Sequence, residues 1–206
     1  MRFLVIIPAS GTDGDLVALA EQSVRQAAPD ADLVILRGAA SHGAKLDLGR
    51  RYITFHDLVV TLDSDVVVWP GWREWIERTL ADPLIVACGA PRVDDAWGLH
   101  PSMLAMSAER YRKAPSWSPS PGQDTGVAVC RWLEKDGYLQ GAEAHNPFGY
   151  WQYWNPDAGI PGQMWWHLGS GSASRFHARC LVDREAWGRW RRRAAFVRAA
   201  RERLAR

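Results

Sequence analysis

Two carboxylates stand two residues apart in Asp63-Ser64-Asp65, directly after the apolar run Leu58-Val59-Val60-Thr61-Leu62. Held together at the end of a strand, such a pair repels itself unless a cation sits between its members. Hard oxygen ligands select Mg²⁺ or Mn²⁺, and either ion can in turn hold a diphosphate. The chemistry that follows is stabilisation of a nucleotide leaving group. The same tripeptide also suits a polar turn that merely closes a strand, because Asp-x-Asp is a common pattern.

A strand is needed to present that pair, and the flanking sequence supplies a βαβαβ order. Phe3 to Ala9 is continuously apolar, Asp15 to Gln26 carries Leu16, Leu19, Ala20 and Val24 at helical spacing, and Asp32 to Leu36 is again strand-like. A helix from about Ala44 to Phe55 leads into Leu58 to Leu62. Strands apolar on both faces belong to a parallel sheet covered by helices, and such sheets bind ligands outside their carboxyl ends. A short helix over Trp72 to Leu80, strands over Leu84 to Gly89 and His100 to Ser107, and a helix over Thr125 to Gly137 are expected next. Ala114 to Gly122 is a Pro and Ser rich loop, and residues 141–174, rich in Gly, Pro, Trp and Tyr, read as ordered loops over a site.

The 206 residues, 47% apolar and with a net charge of +2, exclude a disordered or collagen-like chain. No apolar run is long enough to span a bilayer, and the opening residues carry no signal-peptide cleavage region. Cys88, Cys130 and Cys180 form no closed disulfide set and no metal-ligand spacing, so a reducing, cytoplasmic compartment is expected. The charge is uneven: residues 183–206 hold nine Arg against Asp183, Glu185 and Glu202, which leaves the rest net negative. The expected organisation is a body over residues 1–182 and an Arg-rich amphipathic helix over 183–206, with Trp187, Trp190, Ala194, Val197 and Leu204 on its apolar stripe.

The string Phe3-Leu4-Val5-Ile6-Ile7-Pro8-Ala9, then Leu62-Asp63-Ser64-Asp65, then Pro70-Gly71-Trp72, resembles the GT-A glycosyltransferases, in particular the family 2 type. The likeness continues through Gln123-Asp124-Thr125-Gly126 and Trp166-His167-Leu168-Gly169-Ser170-Gly171. It implies a mostly parallel, Rossmann-like sheet flanked by helices and a single sugar transferred from a nucleotide-sugar donor to an acceptor hydroxyl. It further implies that Pro8, Ala9 and Ser10, with Arg37, Lys45, Asp63, Ser64 and Asp65, contact the donor, and that Asp63, Asp65 and His167 hold Mn²⁺ or Mg²⁺. Asp124 matches the general base of inverting members, a role a carboxylate fills by taking the acceptor's proton. The alternative for Asp124 is a helix cap, and for His167 an ordinary structural histidine.

Departures from the family are informative. Arg37-Gly38-Ala39-Ala40 replaces the acidic pair that usually grips base and ribose, and the Gln-x-x-Arg-Trp element of processive synthases is absent. Twelve tryptophans exceed what core packing needs. Trp151, Trp154, Trp165 and Trp166 are assigned to the acceptor side, with packing an equal reading, while Trp69, Trp72, Trp75 and Trp132 are read as packing residues. The acceptor is a glycan, a protein or DNA with hydroxymethylated pyrimidines. The Arg-rich helix either packs on its own body, neutralises DNA phosphates or lies on anionic lipid. The rival functions are a non-catalytic carbohydrate or nucleic-acid binding module and a haloacid dehalogenase-like phosphohydrolase. The second wants a downstream Lys followed by an acidic pair, whereas Asp94-Asp95 precedes Lys113 and Lys135.

Overall fold

The computed structural model describes residues 1–10, 13–91, 98–121, 123–141, 165–167 and 184–205. In chain order the elements are β1 (Phe3–Pro8), α1 (Gly14–Ala27), β2 (Asp32–Leu36), α2 (His42–Gly49), β3 (Leu58–Leu62), β4 (Val66–Val68), α3 (Trp72–Leu80), β5 (Ile85–Pro91), β6 (Leu99–Ser107), α4 (Ala108–Lys113), α5 (Val127–Leu133), β7 (Tyr138–Gly141), β8 (Trp165–His167) and α6 (Arg184–Leu204). Among the described residues, no helix is long and apolar enough to cross a membrane.

Six strands form one sheet in the order β2-β1-β3-β6-β5-β7. β1 pairs in parallel with β2 and β3, β5 pairs in parallel with β7, and β6 runs antiparallel to both β3 and β5. The sheet is therefore mostly parallel, with β6 as the reversed strand. Alternation along β1 produces the layers. Phe3, Val5 and Ile7 pack with Ala20 and Val24 of α1 and with Trp72 and Ile76 of α3. Leu4 and Ile6 face the other way, onto Leu46 of α2, Tyr111 of α4 and Val129 of α5. Helices thus cover both faces, as continuous apolar strands require.

Several boundaries differ from the sequence expectation, each for a local reason. The helix expected over Ala44 to Phe55 begins at His42, because the Ser41 hydroxyl caps it by accepting from the Ala44 amide at 3.2 Å. It ends at Gly49 and passes into a 3₁₀ turn over Arg50–Tyr52. The helix expected over Thr125 to Gly137 is shorter, Val127–Leu133, and starts after Gly126 at φ +79°, a conformation natural to glycine. β4 pairs antiparallel with β8 in a separate two-stranded sheet. Residues 165–167 are accordingly strand, not loop. Trp69 and Trp72 are buried, as their packing role requires.

Gly43 sets the seat of α2. A Cβ there would meet the Ser118 Cα and the Trp117 carbonyl oxygen, both at 2.6 Å and both backbone. Gly43→Ala is therefore expected to push α2 off the 117–118 segment and to cost roughly 1–3 kcal/mol in denaturant unfolding, as overpacking does elsewhere. An unchanged midpoint would mean that the two segments separate freely.

Candidate functional site

The carboxyl ends of β1, β2 and β3 share one edge of the sheet, since Pro8 stands opposite Leu36 and Ile6 opposite Thr61. Pro8 and Ala9 are buried there and Ser10 is half-buried. The Ala9 amide donates to the Leu36 carbonyl at 3.0 Å, which ties the end of β1 to the end of β2. Arg37 follows β2 directly and is exposed. Ser10 donates its hydroxyl to the Asp13 carboxylate at the start of α1.

At the end of β3 the chain makes a turn closed by the Val66 amide donating to the Asp63 carbonyl at 3.1 Å. The Asp63 amide itself donates to the Ser102 carbonyl of β6 at 2.9 Å, so the turn is pinned to the reversed strand. Its side chains differ in access. Asp63 and Ser64 are half-buried, whereas Asp65 is only 5% exposed. A carboxylate so enclosed must be compensated by hydrogen bonds or positive charge. The turn reading and the ligand reading of these residues are compatible, because both residues belong to this one turn.

α2 aims its first residues at this turn. The His42 Nε2 lies 3.3 Å from Asp63 Oδ1. One turn on, Lys45 is 6% exposed and donates from Nζ to the Ala9 carbonyl at 2.8 Å. That carbonyl is its one hydrogen-bond partner among the described residues. Burial pulls the Lys45 ammonium below its ordinary pKa. An ammonium has three donors, and one buried with a single neutral acceptor is short of negative charge. Sequence reasoning selected Lys45 but missed His42; the capping serine before it was the available signal.

On the other side of Asp63, β6 carries a relay toward Asp124. The His100 Nδ1 accepts from the Ser102 amide at 3.0 Å, and its Nε2 lies 3.9 Å from Asp124 Oδ2. Because Nδ1 is already an acceptor, the proton of the neutral ring sits on Nε2, toward Asp124. Asp124 is half exposed and accepts from the Thr125 amide at 2.8 Å. It is not the cap of α5, whose first turn is preceded by Gly126. His100 also escaped the sequence reading, since a single histidine in an antiparallel strand carries no pattern.

The β4–β8 register sets His167 opposite Val66, one residue after Asp65, with Trp166 opposite Val67 and Trp165 opposite Val68. The backbone of the third expected metal ligand is thereby placed beside the carboxylate pair. Trp151 and Trp154 lie outside the described residues. Among the described residues no three carboxylate, imidazole or thiolate side chains form a finished metal cage. Asp63 and Asp65 nevertheless offer the hard oxygen atoms that a divalent cation takes, with its remaining positions left for diphosphate oxygens and water.

No protein-family model and no curated protein matches the chain. Solved structures do share its architecture. The galactosyltransferase LgtC, in complex with donor and acceptor sugar analogues, superposes with a TM-score of 0.57 at 15% identity, over 94% of this chain and 95% of that one. The mannosyltransferase PcManGT from Pyrobaculum calidifontis, in complex with GDP-Man and Mn²⁺, gives a TM-score of 0.52 at 16% identity, over 68% of this chain and 54% of that one. The fold is the GT-A fold, as the scattered motifs implied.

Proposed function

We propose that the chain is a metal-dependent glycosyltransferase that moves one sugar from a nucleotide-sugar donor to an acceptor hydroxyl, with inversion at the anomeric carbon. One observation carries this reading: at a single sheet edge, Asp63 and Asp65 leave β3 while the buried Lys45 ammonium, short of negative charge, waits beside the end of β1. Carboxylate oxygens and a buried ammonium at one end of the sheet fit a metal diphosphate better than they fit a bare sugar. LgtC and PcManGT share the fold, and their solved structures hold a donor analogue in one case and GDP-Man with Mn²⁺ in the other.

In this reading Asp63 and Asp65 hold Mn²⁺ or Mg²⁺, and His167 adds its imidazole; the ion, when bound, neutralises the departing diphosphate. Lys45 and the amino end of α2, with His42, take up phosphate charge from the opposite side. Pro8, Ala9, Ser10 and Arg37 border the nucleoside, and Ser64 presents its backbone to the phosphates. Asp124 accepts the proton of the acceptor hydroxyl as that oxygen bonds to the anomeric carbon. The bond from that carbon to the diphosphate oxygen breaks, and its electron pair leaves with the nucleoside diphosphate. Trp165 and Trp166, and Trp151 and Trp154, serve the acceptor through their indole faces.

The test is thermal unfolding with Mn²⁺ and a panel of nucleoside diphosphates. At a hundredfold excess over Kd, binding to the folded state contributes about 2.7 kcal/mol. For a chain of this size that raises Tm by roughly 5–10 °C. The rise should need metal and nucleotide together. No rise with both present, or an equal rise with nucleoside alone, would return the binding module as the better reading.

A further inference from the structure

The Arg-rich helix α6 reaches the donor edge from behind. Arg193 is 7% exposed, and its guanidinium bridges two carboxylates at the start of α1. Its Nη1 donates to Asp13 Oδ1 at 3.4 Å, while Nη2 and Nε donate to the two oxygens of Asp15 in the forked geometry that suits arginine. Burial would raise the Asp15 carboxyl, but the hydrogen bond and charge of Arg193 outweigh it and hold it below the usual range. Asp13 is 2% exposed, and its other oxygen accepts the Ser10 hydroxyl. One unbroken run of contacts therefore joins α6 to Ser10, two residues past the end of β1.

The same helix also supports the other half of the site. Phe196, Ala200 and Leu204 pack against Leu16 and Leu19 of α1 and against Val67 and Trp69. Val66 and Val68 face the main core instead. β4, which begins right after Asp65, thus has one face on the core and the other in the cluster that α1 and α6 share. The apolar stripe is the expected one only in part: Leu204 is buried and Val197 packs half-buried against this cluster, whereas Ala194 is exposed and Arg193, Phe196 and Ala200 are buried; the Trp187 side chain lies outside the described residues. The 3.6-residue spacing fitted either set. The pairing of Arg193 with two acidic residues some 180 positions away decided between them.

We propose that Arg193 is a positioning residue for the donor: by neutralising the buried Asp13 it fixes Ser10 at the end of β1, which makes α6 part of the donor site. This rests on the assignment of Ser10 to the donor in the transferase reading above. Without the guanidinium the buried Asp13 carboxylate loses a charge-assisted donor, and the Ser10 hydroxyl bonded to it loses a fixed acceptor. The Asp15 fork alone would anchor the helix; the contact to Asp13 is what transmits its position to Ser10.

The experiment uses the full chain and compares Arg193→Met, Arg193→Lys, Asp13→Ala and the double variant Asp13→Asn with Arg193→Met. Initial rates are measured while donor and acceptor are varied separately. Arg193→Met should raise the donor KM roughly tenfold or more, with kcat within about threefold and the acceptor KM unchanged. Arg193→Lys should recover most of the loss. The double variant should lie nearer the wild type than the single one, because it removes the buried negative charge together with the guanidinium that faces it, and its Asn can still accept from Ser10. Asp13→Ala keeps Arg193 on Asp15 and should reproduce the donor defect even if Arg193→Met does not fold. An unchanged donor KM in Asp13→Ala, a parallel rise in donor and acceptor KM, or a double variant no better than the single one would overturn the proposal. Hydrogen exchange of the 8–14 segment gives a reading that needs no activity. If the wild type transfers no sugar, the functional reading fails on its own, and faster exchange in Arg193→Met than in the wild type still supports the positioning while equal exchange refutes it.

Discussion

Replacing Asp65 with alanine is expected to abolish both Mn²⁺-dependent nucleotide binding and sugar transfer, with kcat/KM down by about 10³-fold or more, which is roughly 4 kcal/mol of transition-state stabilisation. The expectation comes from enclosure as much as from type. At 5% exposure, Asp65 has little water to satisfy it, so its charge is useful only if a cation or fixed donors face it. Its neighbour Asp63 already has the His42 imidazole at 3.3 Å and the Ser102 carbonyl on its amide. In the transferase reading, the two carboxylates on this one short turn act as a ligand pair whose mutual repulsion a divalent ion relieves. In the thermal assay the variant should unfold near the wild-type temperature without ligand and lose the upward shift with Mn²⁺ and nucleoside diphosphate. The contrary result is equally sharp: a variant with a depressed Tm in the absence of ligand but an undiminished ligand-induced shift would make Asp65 a structural residue. Asp65→Asn separates charge from shape, because it keeps the turn and removes the anion; it should behave as the alanine variant does.

How much of this was legible beforehand depends on the range of each interaction. β1, β2 and β3 were readable because each is a short continuous apolar run bounded by turn residues, and α3 because its apolar positions recur at helical spacing over Trp72–Leu80. The carboxylate pair was readable because its meaning is carried by adjacent residues. β4 was not, since three valines pair only with a strand about a hundred positions later, and no local pattern announces that partner. His42 and His100 escaped for the same reason: each acquires significance from a carboxylate brought to it by the sheet, Asp63 in one case and Asp124 in the other. The C-terminal stripe departs from expectation at Ala194 and Arg193, because hydrophobicity alone places alanine inside and arginine outside. At Arg193 an ion pair with Asp13 and Asp15 reverses that preference. Arg191, Arg192, Arg198 and Arg201 remain on the exposed face, where the polyanion expectation would need them.

Asp124→Asn is expected to leave nucleotide binding within about twofold of wild type while lowering kcat by about 10²–10⁴-fold, the usual contribution of a positioned general base. The division of labour between this variant and Asp65→Ala follows from geometry. Asp63 and Asp65 sit at the end of β3, and Asp124 sits beyond β6, with the Ser102 backbone and the His100 ring between Asp63 and Asp124. An amide replacing this half-exposed carboxylate keeps its shape and can still accept from the Thr125 amide. Stability should therefore move by less than about 0.5 kcal/mol, the range typical of surface substitutions. What the amide cannot do is carry away a proton. A capping or purely structural Asp124 would predict the reverse, a loss of stability and an intact kcat, and the start of α5 at Val127 after Gly126 already leaves it outside the capping position. His100→Ala should be milder, lowering kcat by roughly tenfold without altering donor KM, because the ring orients Asp124 and touches no substrate. If Asp124→Asn weakened nucleotide binding as much as Asp65→Ala does, the two carboxylate groups would belong to one binding site, and the proton would have to leave by another route.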